Sequence, residues 1–130
     1  MSRKNNLARS LIILGAIVLF LSAAMHCFAG YPRVAAAVSE SNLSPVLKVA
    51  VRTTFLLAGW NWLAVGVIAL LAAVRVIPGG RLLILLLGAS VAVETALSLS
   101  MMGPFIGDEL LGAAAALLLA GGFLTRSPPG

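Results

Sequence analysis

Of the chain's 130 residues, 61% are hydrophobic and only 10% charged, against roughly half and a quarter in a soluble domain. That excess excludes a water-soluble globule, because no interior of this size hides so much apolar surface; the length gives a single membrane domain over 1–130. The net charge of +5 comes from nine basic and four acidic residues, and the basic ones flank apolar runs, where lipid headgroups are their counterions; nucleic acid, which needs a clustered basic face, is excluded as a partner.

The first span is predicted over 10–29, behind Arg3, Lys4 and Arg9. A positive start before an apolar run also describes a secretory signal, and Ser22-Ala23-Ala24 mimics a cleavage site. The run exceeds the roughly 7–15 apolar residues of a signal, so it is read as a retained span. A connection over 30–43 follows, the only long one, whose apolar part at 32–38 is expected to lie on the membrane surface as a short helix or lid.

Ser44-Pro45 reads as an N-cap and first helical residue. The second span then runs over 45–74 and stops at Pro78-Gly79-Gly80. It is longer than the roughly 20 residues a bilayer requires, so its first turns, with Lys48 and Arg52, are expected among the headgroups. The third span covers 82–102 and breaks at Gly103-Pro104. The fourth covers 108–125 and gives way to a tail whose Pro128-Pro129 cannot continue a helix. The expected fold is therefore an all-α membrane protein, a four-transmembrane-helix bundle with a longer first extracytoplasmic connection. Six Lys/Arg residues fall on the side of the termini (Arg3, Lys4, Arg9, Arg75, Arg81, Arg126) and three on the other (Arg33, Lys48, Arg52). This bias predicts both ends in the cytoplasm, in the plasma (inner) membrane of a bacterium.

Polar residues at depth are costly, so they turn inward, find partners, and mark function by default. Glu94 lies about 12 Å from the outer end of the third span at 1.5 Å per residue. Ser90 and Ser98 stand four residues to either side of it, making a polar stripe that should face the bundle interior. A neutral, desolvated Glu94 is a proton donor; structurally, it would be a hydrogen-bonded bridge between helices. His26 is one turn inside the outer end of the first span, with Ser22 and Gly15 on its face, and is read equally as a helix bridge or a proton acceptor. Trp60-Asn61-Trp62 is too deep for an interfacial belt. It is read as packing or as the wall of an apolar pocket with one polar anchor, Asn61, which shares a face with Thr54. Arg52 points away from Asn61, towards headgroups. Asp108 is expected to cap the fourth helix and Glu109 to sit at its positive end.

Since all these acids and His26 belong to the outer half, while the inner half is apolar, a pocket open at one end is expected rather than a pore. One His and one Cys27 cannot hold zinc or haem, and no nucleophile elbow or phosphate loop is present. Neither metal nor cofactor is therefore expected. The leading expectation is a membrane-embedded acid–base enzyme of isomerase, cyclase or epoxide-opening type acting on a lipophilic small molecule. Glu94, His26, Asp108 and Glu109 are its candidate catalytic groups; Trp60, Asn61, Trp62, Ser90, Ser98 and Arg52 are its candidate binding groups, with the tryptophan faces available to a developing cation. The alternatives are a proton-coupled transporter working as a homodimer, or an accessory subunit whose small residues permit close helix packing. In general form, four short helices with one embedded glutamate, the chain is similar to the small multidrug exporters. These carry that glutamate in the first helix rather than the third.

Overall fold

The computed structural model describes residues 3–74, 80–104 and 106–125. Arg75, the Pro78-Gly79 stop and the 126–130 tail lie outside the described residues. Helix α1 (Arg3–Ala24) runs through a π-helical turn (Met25–Gly30) directly into α2 (Tyr31–Glu40); α3 (Pro45–Ala73), α4 (Arg81–Met102) and α5 (Ile106–Leu124) follow. Four stretches are long and apolar enough to cross a membrane, Lys4–Glu40, Pro45–Ala73, Arg81–Met101 and Ile106–Leu124, and no strand occurs among the described residues.

The ends of these helices follow local chemistry. Ser44, in extended conformation, caps α3 by accepting from the Leu47 N–H at 3.4 Å, and Pro45 takes the first turn, where its missing N–H is not needed. Gly103 ends α4 at φ +75°, a left-handed conformation that disfavours any side chain. The apolar stretch at 32–38 is helical, one of the two expected forms, but the expected long connection over 30–43 is corrected: that helix is continuous with α1 and runs to Glu40, leaving only residues 41–44 between α2 and α3. Pro32 does not break the chain because it falls in the first turn of α2, while the Tyr31 N–H reaches back five residues to the His26 carbonyl. The fourth helix also starts earlier than expected, at Ile106. Asp108 therefore lies inside the first turn rather than at the N-cap.

Helix α1 packs against both α3 and α5, and α5 also packs against α4, whereas α3 and α4 meet only lightly. Small residues make the close approaches. A Cβ on Gly121 would lie 2.6 Å from Ile12 Cγ1 and 3.1 Å from the Ala8 carbonyl oxygen, so α1 and α5 are nearly backbone to backbone there. The centre of the core is Leu19, Val91, Leu111 and Leu118, all fully buried. Leu14, Leu21, Leu86, Val93 and Leu97 are exposed on the outer faces. A helix apolar on both faces is a core or membrane helix, and these outer faces have no further protein layer over them.

Candidate functional site

Three of the polar side chains expected at depth, Glu94, Asn61 and His26, come together around Trp62, near the middle of α3. Trp62 is only 7% exposed, and its indole Nε1–H donates to Glu94 Oε1 at 2.7 Å, across the light α3–α4 seam. Asn61 Nδ2 donates more weakly to the other carboxylate oxygen, at 3.4 Å. Both Glu94 oxygens thus face N–H donors, the arrangement that suits an acceptor-only carboxylate. His26 stands edge-on to the same indole, with ring centroids 4.6 Å apart.

The π-helical turn is what delivers His26 to this position. Its imidazole stacks on Phe55 at 3.7 Å between centroids, and its Nε2 lies 2.7 Å from the Phe55 carbonyl oxygen. A carbonyl only accepts, so Nε2 carries the hydrogen, and the Nδ1 of a neutral ring is left as a free acceptor. Gly59 opens the space: a Cβ there would come within 2.6 Å of Cys27 Sγ and 3.2 Å of His26 Cδ2. π-Bulges recur where a helix must re-aim one side chain at a functional site.

Several expected site residues are elsewhere. The buried face of α4 is Ile84, Gly88, Val91 and Thr95, with the Thr95 hydroxyl returned to the Val91 carbonyl. The Ser90–Glu94–Ser98 stripe therefore flanks the core rather than facing it: Ser90 is exposed and Ser98 half-buried. Their spacing still puts both on the Glu94 side, along the seam towards α3. Ser22 is buried but bonds the Val18 carbonyl, not His26. Thr54 is exposed and shares no hydrogen bond with Asn61; the partner of Asn61 is Glu94.

The two tryptophans separate. Trp60 is 66% exposed and lines a groove of about 530 Å³ between α1 and α3. This groove is bordered by Phe20, Ala24, Cys27, Phe28 and Thr53, and by no acid or histidine. Its lining includes neither Trp62, His26 nor Glu94, so the expected single Trp-Asn-Trp wall does not form. Arg52 reaches α2, donating to the Ala35 carbonyl at 3.1 Å and to the Ser39 hydroxyl. Asp108 is 2% exposed with both carboxylate oxygens unpartnered, and Glu109 is exposed. Hydrogen bonds connect neither to Glu94 or His26. What sequence reasoning missed is Phe55, whose carbonyl and ring together fix the histidine. An i, i+4, i+7 face of Phe55, Gly59 and Trp62 is the only signal for it.

The fold and site define a helical bundle with lipid-compatible outer faces and one carboxylate–indole–imidazole cluster. No protein-family model matches the chain, nor does any curated protein or solved structure. Among the described residues no group of three or more His, Cys, Asp or Glu is placed to hold a metal ion.

Proposed function

We propose that the chain is an integral membrane protein with both ends on the cytoplasmic side of a bacterial plasma membrane. In this reading it performs acid–base chemistry, of the isomerase, cyclase or epoxide-opening type, on a lipophilic small molecule that reaches the α3–α4 seam from the bilayer. The observation that carries the reading is the sharing of one indole by Glu94 and His26. The Glu94 carboxylate and the free imidazole Nδ1 are both acceptors held on a rigid aromatic plate, so either can remove a proton from the substrate and, once protonated, return it at another position. Ser90 and Ser98 offer hydroxyls along the same seam, and the lightness of α3–α4 packing is the route of entry. Asp108 and Glu109 have no part in this chemistry.

The test is ligand retention: wild type and Glu94→Gln are purified in mild detergent and co-purifying small molecules are identified by mass spectrometry. The expected result is a lipophilic compound retained by both proteins and transformed only by wild type. A compound absent from both removes the enzyme reading, and a stability lowered by the substitution then leaves Glu94 as a bridge between α3 and α4.

A second reading, a proton-coupled transporter working as a dimer, draws on the same light seam, where a partner copy would complete the Glu94 site. It predicts proton-driven uptake into sealed vesicles that Glu94→Gln abolishes, with no chemical change in the substrate.

A further inference from the structure

The groove lined by Trp60 takes no part in the chemistry proposed for Glu94. Its base is made of small residues, Ala23, Ala24 and Gly59, so it is a trough created by missing side chains. Phe28 and Trp60 stand beside it, 83% and 66% exposed. Lys48, Arg52, Leu56, Gly59 and Leu63 follow one another at helical spacing along one face of α3. This face therefore changes from two cations at the α2 end to the apolar trough below them. The acceptors of both cations are neutral: the Ser39 carbonyl at 2.7 Å from Lys48 Nζ, and the Ala35 carbonyl and Ser39 hydroxyl for Arg52. Arg52 Nε is buried with no acceptor at all. Among the described residues neither cation is in an ion pair, and Arg52 and Lys48 stand one and two helical turns before Leu56 of the trough lining; positive charges so placed beside an apolar trough match a molecule with an anionic head and a hydrocarbon tail.

We infer that this groove binds an anionic phospholipid of the outer leaflet, with one acyl chain in the trough between α1 and α3 and its phosphate at Lys48 and Arg52. The inference requires the helices to lie in a bilayer, and its choice of leaflet rests on the proposed orientation, but it is independent of any chemistry at Glu94. α2 then has a purpose: its C-terminal carbonyl and hydroxyl groups hold the two cations beside the trough rather than letting them extend into solvent.

The experiment reconstitutes the full chain into phosphatidylcholine vesicles and follows tryptophan fluorescence while either brominated phosphatidylglycerol or brominated phosphatidylcholine is added, with Trp60→Phe as the blank. Trp60 is expected to be quenched at a several-fold lower mole fraction of the anionic lipid. Lys48→Ala and Arg52→Ala should each weaken that preference by roughly fivefold, the effect of one basic residue near an anionic lipid. Ala24→Phe, which fills the trough from an exposed position, should abolish it. Leu57→Phe, from the opposite wall, guards against misfolding of the first variant and should act in the same direction. Equal quenching by the two lipids overturns the inference, as does a preference that survives both filling substitutions. A chain that fails to insert into vesicles removes the membrane reading itself, whereas quenching without preference removes only the lipid site.

Discussion

At Trp62, one side chain serves two neighbours, and its substitution separates their contributions. Trp62→Phe keeps an aromatic plate for His26 but deletes the N–H that reaches Glu94 at 2.7 Å. Hydrogen bonds between membrane helices average only about 0.6 kcal/mol, and a charged acceptor raises this, so a loss of about 1–2 kcal/mol is expected. Asn61→Ala should cost less, because its 3.4 Å contact is long. Unfolding in mild detergent measures both. In a Glu94→Gln background the Trp62→Phe cost should shrink, and an unchanged cost would show that the bond to Glu94 contributes nothing. Glu94 was legible in the sequence because it is a lone acid in an apolar span. Its donor was not, because adjacent Trp60, Asn61 and Trp62 point in different directions, and only the contacts of α1 and α4 decide which indole is buried. Asp108 was misread for a related reason: the helix begins two residues before it, so a residue type that favours caps lies in the first turn instead.

Among the elements, the π-helical turn was the least legible, since nothing in Met25–Gly30 departs from ordinary helical composition. It is defined by its partner α3, where Gly59 leaves room for Cys27 and His26. Gly59→Ala should therefore destabilise by about 1–3 kcal/mol, the cost of overpacking a filled contact. Cys27→Ala in the same chain should recover part of that loss, because the thiol sulfur is the nearest clash at 2.6 Å. Absence of any recovery in a thermal melt would mean that the His26 ring, not the thiol, sets the approach. The α1–α5 and α4–α5 contacts allow a second comparison. Gly121→Ala would drive a methyl group against Ile12 and the α1 backbone, which cannot move aside, so a similar loss is expected. Gly112→Ala meets only the Thr95 methyl group at 3.7 Å, so it should stabilise by up to about 1 kcal/mol through helix propensity alone. The sequence revealed that α5 is rich in small residues; it did not reveal which of them touch backbone.

Across the whole molecule, the four spans were readable because their apolar runs are long and their breaks are chemically sharp, at Ser44-Pro45 and Gly103-Pro104. Within the connection at 30–43 the short helix was readable but its continuity with α1 was not, because Gly30 and Pro32 suggest a break that a π turn, followed by proline in a first helical turn, removes. The resulting continuous helix, Lys4–Glu40, is much longer than a bilayer is thick. In a bilayer one end would therefore project, and the charges decide which. Arg33, Glu40, Lys48 and Arg52 are gathered where α2 meets the start of α3, together with the exposed loop residue Asn42. Placing α2 and this loop outside the cell, as the Lys/Arg asymmetry proposes, predicts the behaviour of a single introduced thiol. In a Cys27→Ala chain, which otherwise has no cysteine, Asn42→Cys should be labelled by a membrane-impermeant maleimide in intact cells. Ser2→Cys should be labelled only after the cells are opened. The reverse pattern would invert the bundle and move the Glu94 seam and the lipid groove to the cytoplasmic leaflet. The six-to-three excess of basic residues would then be overridden, since that count is the only argument for the orientation.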